Sequence, residues 1–424
     1  MRKVLVISYF FPPCSLTAGA RPHSWFMHLH DTGYRPIVVT RKWEREIRTF
    51  ADVNQVSSEG TRTETHAWGE VHYLPYAGNR RDRLLSKYGP ERRVWFRKLL
   101  SLWELLLENF TTAVIPYRNL YRHAAGLAAA DPDIAGVVIS GGPFPQFFFG
   151  YLLRKKYGLP WIADYRDDWS TDEVNAGRGG LFGLLKKLNR VSEKKWVGTA
   201  SAFTTISPYY RDKIARLVRI PGYVLQNGFS ETATQAVTPS ADRTLVYNGT
   251  LYPSQPVEQL LAALAGHNGG TGEKLHIHFP GLAVDAVQKS RVETTARTLG
   301  VEAFVHVTAR IPKNEVMDMQ RAADALVMFG HKGLKGIPSS KLYEYLGLGR
   351  PVILFEPDAD ILEEIVGGYN LGFIVDKPLS FDEILHEIRA RGAAGTLVPD
   401  ETYIRSFSRE SQVRKLAGLM DRYF

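Results

Sequence analysis

The sequence predicts an α/β protein built as two halves, each around a parallel sheet. Three observations lead there. Short β-branched and apolar runs alternate with longer helical patterns from end to end, as in strand–helix–strand units. The 424 residues exceed the size at which one hydrophobic core stops growing. The alternation breaks once, over 227–243, in an aperiodic stretch rich in Ser, Thr, Ala and Pro, the composition of a linker.

In the first half the expected strands are 4–8, 36–40, 71–74, 136–140, 161–164, 202–206 and 223–226. Helical patterns lie between them at 18–32, 117–130, 145–157, 181–197 and 208–218. The second half repeats the alternation, with strands at 245–248, 275–279, 304–307, 325–329, 352–355 and 372–375. Its helices are expected at 257–265, 284–299, 313–323, 340–347, 360–366 and 381–391, then 409–424 behind Ser408 as N-cap. The expected domains are 1–228 and 244–407, joined by 229–243. Two such halves suggest a ligand held between the carboxyl ends of both sheets. Two unrelated α/β domains with separate sites would give the same pattern.

Composition narrows the class. Hydrophobic residues at 44% and charged residues at 23% are ordinary for a soluble globular chain. Cys14 is the single cysteine, so no intrachain disulfide and no cysteine-rich zinc site is expected. The apolar run 4–7 is too short for a signal peptide, and 99–115, the longest candidate span, is broken by Glu104, Glu108 and Asn109. A cytoplasmic protein is the expectation, at most resting on a membrane. The net charge of +9 admits nucleic acid, anionic lipid or phosphate-bearing substrates. No zinc-finger, RNA-recognition or basic-zipper spacing favours nucleic acid, so none is expected as a partner.

Four segments join strand ends to helices. The loop 9–21 puts small residues, Gly19 among them, before a helix N-terminus, where backbone N–H groups and the helix dipole favour an anion. It lacks the G-x-G-x-x-G fingerprint, and a tight turn would read the same way. Ser140-Gly141-Gly142-Pro143 is a second strand-to-helix junction, equally readable as a structural turn. Asp164-Tyr165-Arg166-Asp167-Asp168-Trp169 places three carboxylates and an arginine past a strand end, where open α/β sheets keep ligands; an ion-pair network is the structural alternative. In the second half, Ser339, Ser340 and Lys341 open a helix and could hold phosphate oxygens. Glu344 lies one turn further, where its two acceptors could take both hydroxyls of a ribose. A capped helix with an exposed Glu would look alike. Gly281 in the loop 279–282, and Arg310 with Ile311 in the loop 309–311, should border the same cleft.

The segment 336–351, Gly-Ile-Pro-Ser-Ser-Lys-Leu-Tyr-Glu-Tyr-Leu through Gly349-Arg350-Pro351, resembles the donor motif of family 4 glycosyltransferases. It is closest to the branch written I-P-S-K-x-Y-E-Y-L. Tyr9-Phe10-Phe11-Pro12-Pro13, the 164–169 segment, Asn227-Gly228 and Asn248-Gly249 fall in the order of that branch, so the resemblance spans nearly the whole chain. It implies a GT-B fold: two Rossmann-like domains facing across a cleft, with the final helix, 408–424, packing back on the first. It also implies a retaining, metal-independent transfer from a nucleotide-diphosphate sugar, UDP- or GDP-linked, with no cofactor. Carried over, Glu344 would hold the ribose, and Ser339, Ser340 and Lys341 would sit by the diphosphate. Arg310 and Ile311 would flank the base, Gly281 would line the donor site, and Gly19 would close over the diphosphate. Arg166 stands where many relatives have a histidine near the transferred sugar, with Asp167 beside it. Gly141, Gly142, Asp164 and Trp169 would face the acceptor, a glycan or lipid-linked glycan of cell-surface polysaccharide synthesis.

Two departures from the resemblance stand out. Gly336 occupies the place of a frequent glutamate, and Thr250 and Gln255 replace a frequent Arg and Lys that neutralise the leaving diphosphate. Lys341, Arg310 or Lys332 could substitute. A non-catalytic binding relative and a nucleotide-sugar epimerase are the rival readings. The stretch 80–98 holds eight basic and two acidic residues and runs on to Trp95, Phe96 and Trp103; 181–196 is again basic and amphipathic, ending on Trp196. Such helices suit an anionic membrane surface, so contact with the cytoplasmic face of a membrane is expected; solvated helix faces are the alternative.

Overall fold

The computed structural model describes residues 1–44, 47, 52–89, 91–171, 181–230, 243–270, 272–330, 333–375 and 380–424. The chain divides into two compact units, Met1–Gln226 with Gln412–Phe424, and Asn227–Ser411. Most of the expected linker, 231–242, lies outside the described residues, as does Lys332.

Unit one runs β1 (Arg2–Ser8), α1 (Ala20–His28), β2 (Tyr34–Arg41), β3 (Arg62–His66), β4 (Gly69–Leu74), α2 (Arg80–Tyr88), α3 (Val94–Leu107), α4 (Arg118–Ala130) and β5 (Ile134–Ser140). It continues with α5 (Gln146–Tyr157), β6 (Trp161–Asp164), α6 (Leu181–Val197), β7 (Ala202–Thr205), α7 (Pro208–Val218) and β8 (Gly222–Val224). The sheet order is β3-β4-β2-β1-β5-β6-β7-β8, parallel throughout except for the antiparallel edge pair β3/β4. β3 escapes sequence reading because Arg-Thr-Glu-Thr-His offers no apolar alternation. The central strand β1 is buried from Val4 to Ser8, which is why it reads as a continuous apolar run.

Unit two holds β9 (Arg243–Val246), α8 (Val257–Gly269), β10 (Leu275–Phe279), α9 (Ala286–Thr298), β11 (Val305–Val307), α10 (Lys313–Ala322) and β12 (Ala325–Phe329). It continues with α11 (Ser340–Gly347), β13 (Val352–Phe355), α12 (Ile361–Gly368), β14 (Gly372–Val375), α13 (Ser380–Ala393) and α14 (Glu401–Ser406). Its parallel order, β11-β10-β9-β12-β13-β14, is 3-2-1-4-5-6 counted from β9, the doubly wound Rossmann arrangement. Both faces are covered: Ala325, Val327 and Phe329 of β12 enter one core, Leu326 and Met328 the other.

The last helix, α15 (Arg409–Tyr423), belongs mostly to unit one. Ser408 Oγ accepts from the Ser411 N–H at 3.1 Å, the cap expected from sequence. Val413, Leu416, Ala417 and Met420, one helical stripe, join the core of Val4, Val6 and Val138. Asp421 pairs with Arg2 and accepts from the Tyr34 hydroxyl at 3.0 Å. A Cβ at Gly136 would lie 2.6 Å from the Phe424 ring, so β5 takes glycine where the C-terminal ring packs. The expected fold class is the one observed: two α/β Rossmann-like domains with a C-terminal helix returning to the first. Among the described residues no helix is long and apolar enough to cross a membrane.

Three histidines stack on the β10/β11 edge of unit two. His276 Nδ1 lies 2.9 Å from His306 Nε2, and the His278 and His306 rings are 4.6 Å apart. Burial first, then its two imidazole neighbours, pushes His278 down to about 4; burial and His276 lower His306. A folded-state histidine pKa below the unfolded value of 6.5 gives stability that is present above 6.5 and lost as pH falls towards 4. Thermal melts should show a midpoint dropping across that window, and His278→Leu should flatten the drop. An unchanged slope in the variant would place the acid sensitivity elsewhere.

Candidate functional site

In a doubly wound sheet, ligands bind outside the carboxyl ends of the strands, at the point where strand order reverses. In unit two that point lies between β9 and β12. A cavity of about 510 Å³ opens on the β9 side of that point, over the ends of three neighbouring strands, lined by Asn248, Gly249 and Thr250 after β9, Pro280 and Gly281 after β10, and Arg310 and Ile311 after β11. Gly281 has φ +82°, its N–H donates to Ala309 O at 3.3 Å, and a Cβ there would sit 3.9 Å from Arg310 Cγ. The two loops therefore touch. Three of the residues singled out from sequence, Gly281, Arg310 and Ile311, share one cavity.

Lys341 reaches the same place from α11. Its Nζ donates to Thr250 O at 2.9 Å and to the Tyr247 hydroxyl at 3.1 Å, and lies 4.4 Å from the Tyr247 ring centre. Burial pushes its pKa down to about 8, with Glu344 acting in the opposite direction. Gly249 makes room: its φ is +95°, and a Cβ would come within 2.8 Å of Lys341 Cε. The single Tyr247 hydroxyl proton has two acceptors in reach, Thr250 O at 2.7 Å and Gln255 Oε1 at 3.0 Å, and Gln255 Oε1 also accepts the Tyr252 N–H at 2.9 Å. Gln255, noted from sequence only as a missing cation, is buried and organises this turn. The Tyr345 hydroxyl accepts the Asn248 N–H at 3.0 Å, tying α11 to β9 a second time.

The start of α11 is open to an anion. Ser339 occupies the N-cap but makes no side-chain cap bond, which leaves the first helical N–H groups without that partner. Ser340 and Glu344 are exposed. The Glu344 charge acts on both Lys341 and Arg409. Gly336 has φ +78°, a backbone reserved for glycine, and its N–H donates to the Asp360 carboxylate. A carboxylate from α12's N-cap thus stands beside the place where the resemblance leads one to expect a glutamate. Among the described residues no group of three or more His, Cys, Asp or Glu side chains is placed to hold a metal ion.

In unit one the reversal point lies between β1 and β5. Asp164, expected to face the acceptor, is fully buried: it pairs with Arg21 at 2.9 Å and accepts from Thr204 Oγ1 at 2.7 Å. Arg21 also donates to Leu225 O at 2.8 Å. Asp164, expected from sequence to face the acceptor, is thus taken up in a buried framework joining α1, β6 and β7. Trp169 is likewise taken up in packing, stacked on Phe144 at 5.4 Å and on Trp196 at 5.7 Å. Asp168 pairs with Lys213 at 2.7 Å, and buried Glu193 accepts from the Tyr165 hydroxyl and the Ser170 N–H, both at 3.0 Å. The accessible groups of this segment are Arg166 and Asp167, 3.9 Å apart with side chains 22% and 73% exposed. Gly141 is buried, its would-be Cβ 2.6 Å from Phe147, while Gly142 keeps φ +101°. Gly19 packs its backbone against Phe11, with a would-be Cβ 3.3 Å away. Tyr247, Gln255, Tyr345, Asp360 and Glu193 went unassigned in the sequence. Tyr247 borders a recognised motif and Tyr345 lies inside one; Gln255 was marked only as a departure from the family pattern, and Asp360 and Glu193 gave no local signal.

Residues 230–390 match the family described as glycosyl transferases group 1. Comparison with curated proteins finds no match. Sucrose-phosphate synthase from Thermosynechococcus elongatus is similar in structure, with TM-score 0.60, 14% identity, and coverage of 100% of this chain and 99% of that one. An α,α-trehalose-phosphate synthase (UDP-forming) from Burkholderia vietnamiensis gives TM-score 0.59 and 10% identity, covering 100% of each chain. HepE of Anabaena, in complex with UDP and glucose, gives 0.53 and 12%, again over 100% of each. At these identities the likeness establishes the fold, the GT-B arrangement of two Rossmann-like domains that the sequence predicts.

Lys341 carries a stability consequence. Between about 8 and the ordinary 10.5 the unfolded chain holds a proton that the folded lysine has shed, so stability should rise with pH across that window. Lys341→Met should remove the rise and raise the melting temperature of the ligand-free protein at pH 7. A lower melting temperature would show that the amine's hydrogen bonds outweigh its desolvation.

Proposed function

We propose that the chain is a glycosyltransferase that takes a sugar from a nucleotide-diphosphate donor, UDP- or GDP-linked, and passes it to a glycan or lipid-linked glycan. One observation carries the reading: a desolvated lysine amine, on the first turn of a helix whose N-cap side chain makes no cap bond, is bonded to Thr250, a residue of the unit-two cavity's lining. In this account Arg310 and Ile311 flank the base and Glu344 takes the ribose hydroxyls. Ser339, Ser340 and the α11 N–H groups receive the diphosphate, and Lys341 neutralises the charge that grows on it as the glycosidic bond breaks. Those groups supply the counter-charge from the chain itself, which supports a metal-independent transfer; retention follows from the family resemblance alone. Two of the similar structures carry UDP in their descriptions, which favours uridine. Arg166 and Asp167 remain the accessible candidates of unit one for contact with the transferred sugar, with Gly19 and Gly142 beside its reversal point.

Placement at the cytoplasmic face of a membrane belongs to the same reading. No residue of α3 is buried; Trp95 is 72% and Phe110, just past its end, 69% exposed. Exposed Leu184 and Val191 on the neighbouring α6 lie among Lys187, Arg190, Lys194 and Lys195. Trp196, by contrast, is buried against Phe148 and is withdrawn from that face. Each cation near an anionic surface adds about 1 kcal/mol.

Two measurements test this. A donor held at about 100 times its Kd should stabilise the protein by roughly 2.7 kcal/mol. Glu344→Ala should lose that stabilisation, and Lys341→Met should keep most of it while transfer falls about 100-fold or more. Stabilisation without turnover would favour a non-catalytic binder, and an epimerised donor would favour the epimerase. For the membrane, phosphatidylglycerol vesicles at low salt should retain the wild type and release Trp95→Ala/Phe96→Ala. Equal retention on neutral vesicles would sink the electrostatic part of the reading.

A further inference from the structure

We infer that unit one carries a second binding site, a cavity beside α3 that takes a phosphorylated sugar. As the seat of the acceptor, it rests on the transferase reading above. The cavity measures about 500 Å³ and is walled by the segment after β4, by α2 and α3, and by the turn before α4. That volume lies within the range of small-molecule pockets. Its β4 wall, Ala77 to Arg80, leaves the carboxyl edge of the sheet, the edge on which β1 and β5 open. Only β2 separates β4 from β1, so the end of β4 that leads into the cavity wall stands about 12 Å from the reversal point along that edge.

Its lining has the chemistry of an anionic sugar site. Trp103 is 60% exposed and offers an aromatic face, on which the C–H face of a pyranose can stack. Arg80 and Arg83 are exposed on the first turn of α2, and neither side chain has a hydrogen-bond or ion-pair partner among the described residues. Arg118 adds a third guanidinium, donating to Ala113 O at 3.1 Å. Against these three stands one carboxylate, Glu104, which accepts from Asn79 Nδ2 at 2.6 Å and which burial pushes towards its neutral form. Guanidinium groups fit phosphate oxygens two at a time, and Asn79 with Glu104 can serve sugar hydroxyls. The apolar floor, Leu100, Val114 and Ile115, lowers the local dielectric and strengthens each charged contact.

A phosphate on the sugar could belong to a free sugar phosphate or to the diphosphate of a lipid-linked glycan. Trp95, Leu99 and Trp103 share one stripe of α3, so the cavity opens beside the face assigned to the membrane. Calorimetric titration with glucose 1-phosphate, and with glucose on a prenyl diphosphate in neutral micelles, separates the two sources. Wild type should bind at least one saturably, and free glucose far more weakly. Arg80→Gln/Arg83→Gln should weaken binding about tenfold or more, and Trp103→Ala should do so independently. Tighter binding of the prenyl form assigns the lipid source; equal binding assigns the soluble one. Absence of binding by either ligand, or undiminished binding by the double arginine variant, overturns the site. Nucleotide-sugar stabilisation measured on the same samples keeps the two claims apart. If donors fail while sugar phosphate binds, the transferase reading falls and the site stands.

Discussion

The unit-two site is organised around one half-buried cation, the Lys341 amine, set against the residues that follow β9. Placing it requires agreement among residues nearly a hundred positions apart. Gly249 must be glycine for its backbone and for its space, since a Cβ would meet the lysine at 2.8 Å. Tyr247 must present both a ring face and a hydroxyl, and Gln255 must orient that hydroxyl from below. Tyr345 must lock α11 against Asn248. Leu342, Tyr343, Tyr345 and Leu346 bury the opposite face of the helix, which fixes the rotation that turns Lys341 and Glu344 outward. Burial of an amine is unfavourable, and here the Thr250 carbonyl, the Tyr247 hydroxyl and the Glu344 charge offset part of that cost.

Unit one solves a different problem with buried charge. Arg21 and Asp164 pair in a dry environment, where Thr204 donates to the carboxylate and the Leu225 carbonyl accepts from the guanidinium. Glu193 and the Asp168–Lys213 pair do the same for the loop after β6. These contacts hold the carboxyl edge rigid and leave Arg166 and Asp167 as its accessible charges. A segment that reads as four charged candidates thus separates into supports and accessible groups once burial is known.

That separation also marks how far the sequence could be read. Strands buried on both faces, such as β6 and β12, show as unbroken apolar runs, and their ends agree with the sequence reading to the residue. β3 did not show, because both its faces are polar, and α14 is too short to carry a period. The cavity loops were legible as strand ends, since sheet topology puts all parallel carboxyl ends on one edge. Roles that depend on side-chain direction were not: Asp164 and Asp167 are indistinguishable as letters, yet one is sealed and the other nearly free. Nor could spacing show that Asp360 approaches Gly336, or that Lys341 approaches Thr250, because these contacts join segments distant in sequence. The two apparent losses in the motif are both places where a charge from elsewhere in the chain arrives in space.

In the proposed function Lys341 is the counter-charge of a bound diphosphate. NMR titration of the Lys341 amine, with and without UDP, is the experiment that decides this role. Without ligand the amine should titrate near 8, and a bound diphosphate should raise that value clearly, because a nearby anion favours the protonated form. An identical titration in the presence of saturating UDP would contradict the account.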